Sequence, residues 1–321
     1  MYIILAIVIV VIGFVVVTYF RAPSLNIDTI DDLRQIKPDD RFLVFAPHCD
    51  DEVIGPGGLI VNAIKTGIPV KVVLITNGDN NFISTDIEFK TLYPTASEFI
   101  KAGEARQQET ISALKYIGVK EEDIIFLGYP DRGIKALYLK HWSVSSPYRS
   151  LGTNDIKAPY NLIYEPQVIY CGENLQKNLK SIITSFSPTI IIGPHLDDHH
   201  PDHKYGAYFI LKALNELYGQ SNNESSPILL TYLVHYPHFP YPQGMRPDDY
   251  LLVPFASTFD MQWFKFMLTE EQKAQKKEAL GLYRTQLKVP RLQKLMKSFV
   301  RQNELFEKVD NFTPPVIQQE Q

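Results

Sequence analysis

Cysteine is scarce in this chain, since Cys49 and Cys171 are the only two among 321 residues. Two thiols are too few for a disulfide framework, and they also exclude a thiolate-rich zinc cluster. Any metal site must therefore use histidine and carboxylate ligands. An excess of charge of one sign is missing too, because the formal net charge is −4. This balance gives no electrostatic reason to bind nucleic acid and favours a small molecule or a glycan as the partner.

Charged residues are also missing from residues 2–20, which are almost entirely Ile, Val, Leu and Phe. A helix of about this length crosses the ~30 Å hydrocarbon core of a bilayer. The alternative is a cleaved signal peptide, but no Lys or Arg precedes the run and no clear small-x-small site follows it. We therefore predict a single-pass transmembrane anchor at residues 1–21. Lys and Arg are more frequent after the run than before it, which favours a cytoplasmic location for the domain that follows.

Apolar runs and helical patterns alternate after a polar stretch at residues 22–40, which we predict to be a linker. Runs typical of strands buried on both faces of a sheet lie at 42–46, 70–75, 123–128 and 189–193. Helical patterns lie at 54–66, 103–117 and 173–186. We predict an α/β fold with a doubly wound, mainly parallel, Rossmann-like sheet over residues 41–310, followed by a tail at 311–321.

Two further stretches have a distinctive composition. Residues 138–164 are rich in Ser, Pro, Gly and Tyr, which predicts a loop that serves either as a lid or as a substrate-binding insertion. Residues 269–301 are rich in Lys, Glu, Gln and Leu. They predict one or two amphipathic helices, with Pro290 as the break.

Two acidic, histidine-rich loops follow predicted strands. In the first, His48 and Asp51 are three residues apart, so that one turn of chain can aim both at one ion. The second, residues 197–203, reads Asp-Asp-His-His-Pro-Asp-His. Ligands collect beyond the carboxyl ends of parallel strands, so the two loops are expected at the same edge. Two histidines and one carboxylate leave a coordination position open for water, as in catalytic zinc sites.

Several of these segments resemble the PIG-L/LmbE-like family of N-acetylglucosaminyl deacetylases. The similarity spans residues 41–286. It is carried by the motifs His48-Cys49-Asp50-Asp51-Glu52, Gly57-Gly58, Thr76-Asn77-Gly78-Asp79, Arg106-Gln107-Gln108-Glu109, Phe126 to Asp131, His200-Pro201-Asp202-His203 and Lys277 to Gln286. The chain departs from the family pattern at Cys49, where the family usually has proline.

The resemblance implies a zinc-dependent hydrolase that removes an N-acetyl group from an N-acetylglucosamine-containing sugar or glycoconjugate. It implies that Zn²⁺, or another divalent metal, is bound by His48, Asp51 and His203. It also implies that Asp50 is the general base and that His200 assists at the developing oxyanion or the leaving amine. Asp202 is then placed to orient a histidine ligand.

Other assignments stay open at the level of sequence. Arg106 and Glu109 lie on a predicted helix, where they form either a structural ion pair or a substrate contact. His235 and His238 lie among aromatic residues that either stack on a sugar or belong to an aromatic core. The metal ligands, the base and the oxyanion helper that the resemblance implies would also suit a hydrolase of another amide or ester. A membrane-anchored glycan-binding module without turnover is a further alternative. The physiological acceptor is not determined.

Overall fold

The structure is a computed structural model that describes residues 27–219, 226–254 and 262–315. The predicted anchor at residues 1–21 lies outside these ranges, as do parts of the predicted linker and tail. Within them, none of the helices combines the length and the apolar character that crossing a bilayer requires.

One eight-stranded sheet forms the centre of the described molecule. Its strands are β1 (Asp31–Asp32), β2 (Phe42–Ala46), β3 (Val70–Thr76), β4 (Ile124–Tyr129), β5 (Ile190–Pro194), β6 (Ile228–Tyr232), β7 (Trp263–Met267) and β8 (Asn303–Val309). They lie side by side in the order β1-β7-β8-β6-β5-β2-β3-β4. Strand β8 is antiparallel to both of its neighbours, and the other pairs are parallel. The predicted α/β fold with a mainly parallel sheet is confirmed.

Helices cover both faces of this sheet, so that the central strands are buried. The helices are α1 (Asp51–Ile54), α2 (Gly57–Lys65), α3 (Phe82–Phe89), α4 (Ala96–Tyr116), α5 (Ile134–Leu139), α6 (Gly172–Phe186), α7 (Pro201–Tyr218), α8 (Glu270–Leu280), α9 (Arg284–Leu287) and α10 (Pro290–Ser298). One core cluster includes side chains of α1, α2, α4, α8 and α10, and the other includes those of α5, α6 and α7. Burial on both faces explains why β2 is a continuous apolar run.

The four predicted strands are present as β2 to β5, with bounds that agree within one residue. Strands β1, β6, β7 and β8 were not predicted, and β1 lies within the residues predicted to be a linker. In β8 the two first residues, Asn303 and Glu304, are polar and yet buried, which hides the apolar pattern. Their burial is stabilised by partners on distant segments, which a local pattern does not contain.

The helix predictions were partly wrong at the ends. The predicted helix at 54–66 corresponds to α2, which begins three residues later, at Gly57, because Gly55 and Pro56 separate it from the short helix α1. Helix α4 begins at Ala96 rather than at Gly103, since Thr95 and Glu98 form a capping box that starts it earlier. Residues 269–301 form three helices, α8, α9 and α10, rather than one or two. The predicted break at Pro290 is present between α9 and α10, and Pro290 occupies the first turn of α10, where its missing N–H costs no hydrogen bond.

Candidate active site

The candidate metal ligands come from two adjacent parallel strands. Strand β2 pairs with β5 from Phe42–Ile190 to Val44–Ile192, so the segments that follow them emerge at the same edge of the sheet. His48 lies in the loop after β2, and Asp51 begins α1. His203 lies in the first turn of α7, after the loop that follows β5.

Three atoms of these residues form a nearly equilateral triangle. Nδ1 of His48 lies 3.1 Å from Oδ2 of Asp51, and Nε2 of His203 lies 3.0 Å from the same oxygen. The two ring nitrogens are 3.2 Å apart. Ligands placed tetrahedrally at the Zn–N and Zn–O distances of ~2.0–2.1 Å are about 3.3 Å apart. The donor set therefore fits one small divalent cation, and the predicted ligand trio converges on one point.

Each histidine of the trio contacts further carboxylates through its other ring nitrogen. Nε2 of His48 lies 3.3 Å from Oδ2 of Asp202 and 3.4 Å from Oδ1 of Asp131. Nδ1 of His203 lies 3.1 Å from Oδ2 of Asp198. A carboxylate at one ring nitrogen favours the tautomer whose other nitrogen is free to bind a metal. Both rings are thus oriented so that the nitrogens of the triangle are free to bind a metal ion.

Asp198 and Asp131 were not predicted as site residues. Asp198 also accepts hydrogen bonds from the backbone N–H groups of His200, Val234 and His235, at 2.8, 3.1 and 3.0 Å. It therefore joins the loop after β5 to the loop after β6. Both aspartates lie inside sequence motifs, but only the folded chain shows which acidic residue of each motif faces a histidine.

The electrostatics of the triangle favour positive charge. Burial lowers the pKa of His203, but Asp198 and Asp51 outweigh burial and raise this pKa to about 9. Burial raises the pKa of Asp51, but His203 and His48 outweigh it and hold the pKa of that carboxyl well below its usual range. A position that favours protonated histidine beside carboxylate also favours a bound cation.

Asp50 lies beside the triangle in an unusual backbone conformation. Its φ angle is +138°, and its backbone N–H donates to Oε2 of Glu52 at 2.9 Å. The hydroxyl of Tyr283 donates to Oε1 of Glu52 at 2.5 Å. The positive φ is a strained conformation for a residue other than glycine, so Glu52 and Tyr283 help to hold Asp50 in place.

The carboxylate of Asp50 is buried next to a guanidinium group. Nη2 of Arg106 lies 3.4 Å from Oδ2 of Asp50 and donates to the carbonyl oxygen of Cys49 at 2.7 Å. Burial raises the pKa of Asp50 to about 8; Arg106 opposes this change, whereas Asp51 and Glu52 add to it. A proton acceptor with a pKa near the working pH suits general-base catalysis.

One alternative for Arg106 and Glu109, an ion pair between them, is absent from the part of the chain that the structure describes. Arg106 reaches across to Asp50, and its Nη1 donates to the carbonyl oxygen of Gly78 at 2.9 Å. A Cβ atom at Gly78 would overlap this nitrogen. Glu109 accepts hydrogen bonds from N and Oγ1 of Thr285, at 2.8 and 2.6 Å. Arg106 therefore belongs to the site, and Glu109 connects α4 to the start of α9.

His200 precedes α7 as its N-cap residue. Its Nδ1 accepts a hydrogen bond from the backbone N–H of Asp202 at 3.3 Å. Burial lowers the pKa of His200, and the neighbouring His48, His203 and His235 rings lower it further. The ring is therefore neutral, and because Nδ1 is an acceptor, the proton is on Nε2. In this state His200 is a hydrogen-bond donor.

The remaining histidines divide between the cavity and other parts of the fold. A cavity of about 660 Å³ is lined by Asp50, Asp51, His48, His200 and Arg106, and also by His199, His235 and His238. His195 is fully buried against Trp263, with Nε2 2.7 Å from Oε2 of Glu307. Pockets of about 300–1,000 Å³ bury drug-sized ligands, so this cavity has room for an extended substrate.

Cys49 has no exposed surface. Burial raises the pKa of its thiol, and the neighbouring Glu52 and Asp50 add to this effect against Arg106. A buried thiol that resists ionisation is a poor nucleophile. The departure from proline at this position therefore adds no reactive group to the site.

Residues 43–214 match the family model described as PIG-L: GlcNAc-PI de-N-acetylase. This chain belongs to the PIG-L family. The matched residues include the ligand trio, Asp50, Asp198 and His200, and they end before β6 and the C-terminal helices. The predicted resemblance is confirmed, and the chain is a member of a deacetylase-type enzyme family.

Solved structures support the same fold. The conserved protein TT1542 from Thermus thermophilus is 18% identical, with a TM-score of 0.51 over 88% of this chain and 99% of that one. A deacetylase in the biosynthesis pathway of teicoplanin, solved with bog, is 18% identical, with a TM-score of 0.52 over 84% and 98%. The zinc-inhibited form of teicoplanin deacetylase Orf2 gives the same identity, coverage and TM-score. At these identities the likeness establishes the fold alone.

Proposed function

We propose that this PIG-L family member is a zinc-dependent hydrolase that removes the N-acetyl group from an N-acetylglucosamine-containing sugar or glycoconjugate. The observation that carries the proposal is the triangle of His48, Asp51 and His203, with its atoms 3.0–3.2 Å apart. Two of its members, His48 and Asp51, line the same cavity as Asp50 and His200. The trio holds the metal. Since it supplies only three protein ligands, a position remains for water or substrate.

A divalent ion held by the trio would supply Lewis-acid chemistry: it would polarise the amide carbonyl and lower the pKa of water toward about 7. The protein contributes the proton acceptor. Asp50 takes the proton of the attacking water, because its carboxylate lines the cavity and its pKa lies near neutrality. Arg106 contacts this carboxylate and limits the rise of its pKa.

His200 stabilises charge at the carbonyl oxygen or the leaving nitrogen. Its Nδ1 is occupied by the backbone N–H of Asp202, so its Nε2–H is the group available to a substrate in the cavity. A neutral donor aimed at a developing oxyanion is worth several kcal/mol in such sites. Asp202 and Asp131 keep His48 in the required tautomer.

The direct test is acetate release by the full chain, purified in detergent and loaded with Zn²⁺. We expect acetate from methyl N-acetylglucosaminide or from larger N-acetylglucosamine glycosides, and loss of the activity after chelation with recovery on adding Zn²⁺. An Asp50→Asn preparation serves as the matched control for a contaminating deacetylase. Hydrolysis of a simple ester or another amide, with no acetate from any N-acetylglucosaminide, would assign the centre to a different substrate class.

We also propose that residues 1–21 anchor the chain in a membrane, with the catalytic domain in the cytoplasm. The support is the uncharged apolar run at residues 2–20 and the excess of Lys and Arg after it. Protease added to intact cells should leave the domain uncut, whereas the same protease should cut it in lysed cells. Cutting in intact cells would place the domain on the outer side.

A further inference from the structure

Three adjacent strands of the sheet end at the edge where the ligand trio lies. His48 follows β2, Asp79 follows β3 and Asp131 follows β4, and these strands are neighbours in the sheet. All three side chains are buried. Asp131 contacts His48, whereas Asp79 is a buried carboxyl group that the proposed chemistry does not use.

The loops after β3 and β4 are hydrogen-bonded to each other in both directions. The backbone N–H of Asp131 donates to Oδ1 of Asp79 at 3.2 Å, and the backbone N–H of Asn80 donates to Oδ2 of Asp131 at 3.0 Å. The other carboxylate oxygen of Asp131, Oδ1, lies 3.4 Å from Nε2 of His48. The loop after β3 therefore sets how the carboxylate of Asp131 faces this ring.

A tyrosine from a distant segment contacts the same carboxyl group. The hydroxyl of Tyr160, a buried residue, donates to Oδ2 of Asp79. Burial raises the pKa of Asp79 to about 7, and the charge of Asp131 adds to this rise, whereas the hydroxyl of Tyr160 and the N–H of Asp131 oppose it. A buried carboxylate is costly unless it accepts hydrogen bonds, so both donors stabilise its ionised form.

Tyr160 lies in residues 138–164, the segment predicted to be a lid or a substrate-binding insertion. A Cβ atom at Gly103, on α4, would lie 2.6 Å from the hydroxyl oxygen of Tyr160. A Cβ atom at Gly152 would lie 3.0 Å from the carbonyl oxygen of Asp79. Both glycines thus allow a close approach, and this part of the segment packs against the loop after β3, which suits a support for the site.

We propose that Asp79 and Tyr160 are positioning residues that act through Asp131: they hold its carboxylate against Nε2 of His48 and so raise the affinity of the trio for a divalent ion. The inference rests on the metal site of the proposed function. A carboxylate at the outer nitrogen of a histidine ligand fixes the tautomer and orientation of the ring, and its loss typically weakens metal binding about 10–100-fold. Asp79 bonds to Asp131 and Tyr160 rather than to the trio, so its effect must pass through Asp131.

The test measures Zn²⁺ affinity of the full chain in detergent by competition with a chelator, without substrate. Asp79→Ala should bind Zn²⁺ about tenfold more weakly than the parent, because the backbone of Asp131 loses its acceptor. Tyr160→Phe removes only a hydroxyl and should cause a smaller loss. Asp79→Asn should bind nearly as tightly as the parent, since its amide oxygen still accepts from the N–H of Asp131.

A double-mutant cycle tests whether Asp79 acts through Asp131. Asp131→Ala alone should weaken Zn²⁺ binding about 10–100-fold. Adding Asp79→Ala to it should cause no further loss, because the carboxylate that Asp79 positions is already gone. Losses that multiply in the double variant would show that Asp79 acts independently, and the inference would then be wrong.

Tyr129→Phe is the matched control for Tyr160→Phe. Tyr129 is fully buried, and its hydroxyl accepts a hydrogen bond from Nδ2 of Asn178 at 3.1 Å. The control removes a buried hydroxyl that bonds elsewhere, so Zn²⁺ affinity should stay at the parental value. Equal losses in the two phenylalanine variants, or parental affinity in Asp79→Ala, would overturn the inference. If circular dichroism shows that Asp79→Ala does not fold, Tyr160→Phe replaces it in the cycle.

Zinc affinity and acetate release distinguish this inference from the proposed function. If Zn²⁺ binding depends on Asp79 as expected but no N-acetylglucosaminide releases acetate, the proposed function fails and the inference stands. If the parent releases acetate and Asp79→Ala binds Zn²⁺ as tightly as the parent, the inference alone fails. A parent chain that binds no Zn²⁺ would reject both.

Discussion

The chain has two regions that contribute differently to the site. The matched region, residues 43–214, holds the ligand trio, Asp50 and His200. The C-terminal region, residues 262–315, contains none of these residues and yet contacts the segments that carry them. The comparison separates residues to which we assign the proposed chemistry from residues that position them.

Contacts of the C-terminal region converge on α1, α2 and α4. Oε1 and Oε2 of Glu304 accept hydrogen bonds from the N–H groups of Gly58 and Leu59, at 2.6 and 2.9 Å. Nζ of Lys276 lies 2.6 Å from the same carboxylate and donates to the carbonyl oxygen of Gly55. Backbone groups at the end of α1 and the start of α2 thus hydrogen-bond to both members of the buried Lys276–Glu304 ion pair. A buried pair of this kind is expensive to break, which suits a fixed support.

The largest expected effect lies in the matched region, at the metal ligands. His203→Ala removes one of three protein ligands, so metal content and acetate release should both fall to near zero. His141→Ala, at a partly exposed histidine outside the cavity, should change neither. Metal analysis and acetate assays on the same samples measure both quantities in the two variants. Normal metal content in His203→Ala protein would remove the trio from the mechanism.

The second-largest effect is expected at Asp50, and it distinguishes this proposed general base from the proposed metal ligands. Asp50→Asn keeps the shape of the side chain but cannot accept the proton, so the rate should fall about 10²–10⁴-fold with metal content unchanged. Stopped acetate assays and metal analysis measure the two quantities. An Asp50→Asn enzyme with its metal in place and the parental rate would contradict the assignment of the base.

A smaller effect is expected at the carboxylate behind His203. Asp198→Asn weakens the partner of Nδ1, so metal affinity should fall about 10–100-fold, as for other groups that orient a ligand. Competition with a chelator measures this affinity. Asp197→Asn, at the exposed neighbouring residue, is the matched control and should leave affinity unchanged. Similar losses in both variants would point to a general effect of the loop.

The smallest effect is expected in the C-terminal region. Tyr283→Phe removes the hydroxyl that donates to Glu52, so Asp50 should be held less well and kcat should fall several-fold with metal content unchanged. Loss of one hydrogen bond to a buried carboxylate costs about 1–3 kcal/mol of unfolding free energy. Tyr116→Phe, at an exposed tyrosine, is the control. A kcat equal to that of the parent would limit the role of Tyr283 to stability.

Much of the central fold and site was accessible from local patterns. The runs of β2 to β5 are continuous because both faces are buried, and the two acidic, histidine-rich loops follow strands that prove to be neighbours. The start of α4 was predicted seven residues late, although Thr95 and Glu98 carry its capping signal. Strand β8 was missed because Asn303 and Glu304 make it polar where it is most buried.

The sequence by itself determined the side chains available to this protein: histidines and a carboxylate spaced to suit one metal ion, a further carboxylate beside them, and alternating strands and helices. These features depend on residue type and on neighbours a few positions away. Only the tertiary structure decided that Asp198 and Asp131 face the histidines, that Glu52 and Tyr283 support Asp50, and that Tyr160 reaches Asp79. Such contacts join residues far apart in the chain, so they arise from strand order and helix packing rather than from local pattern.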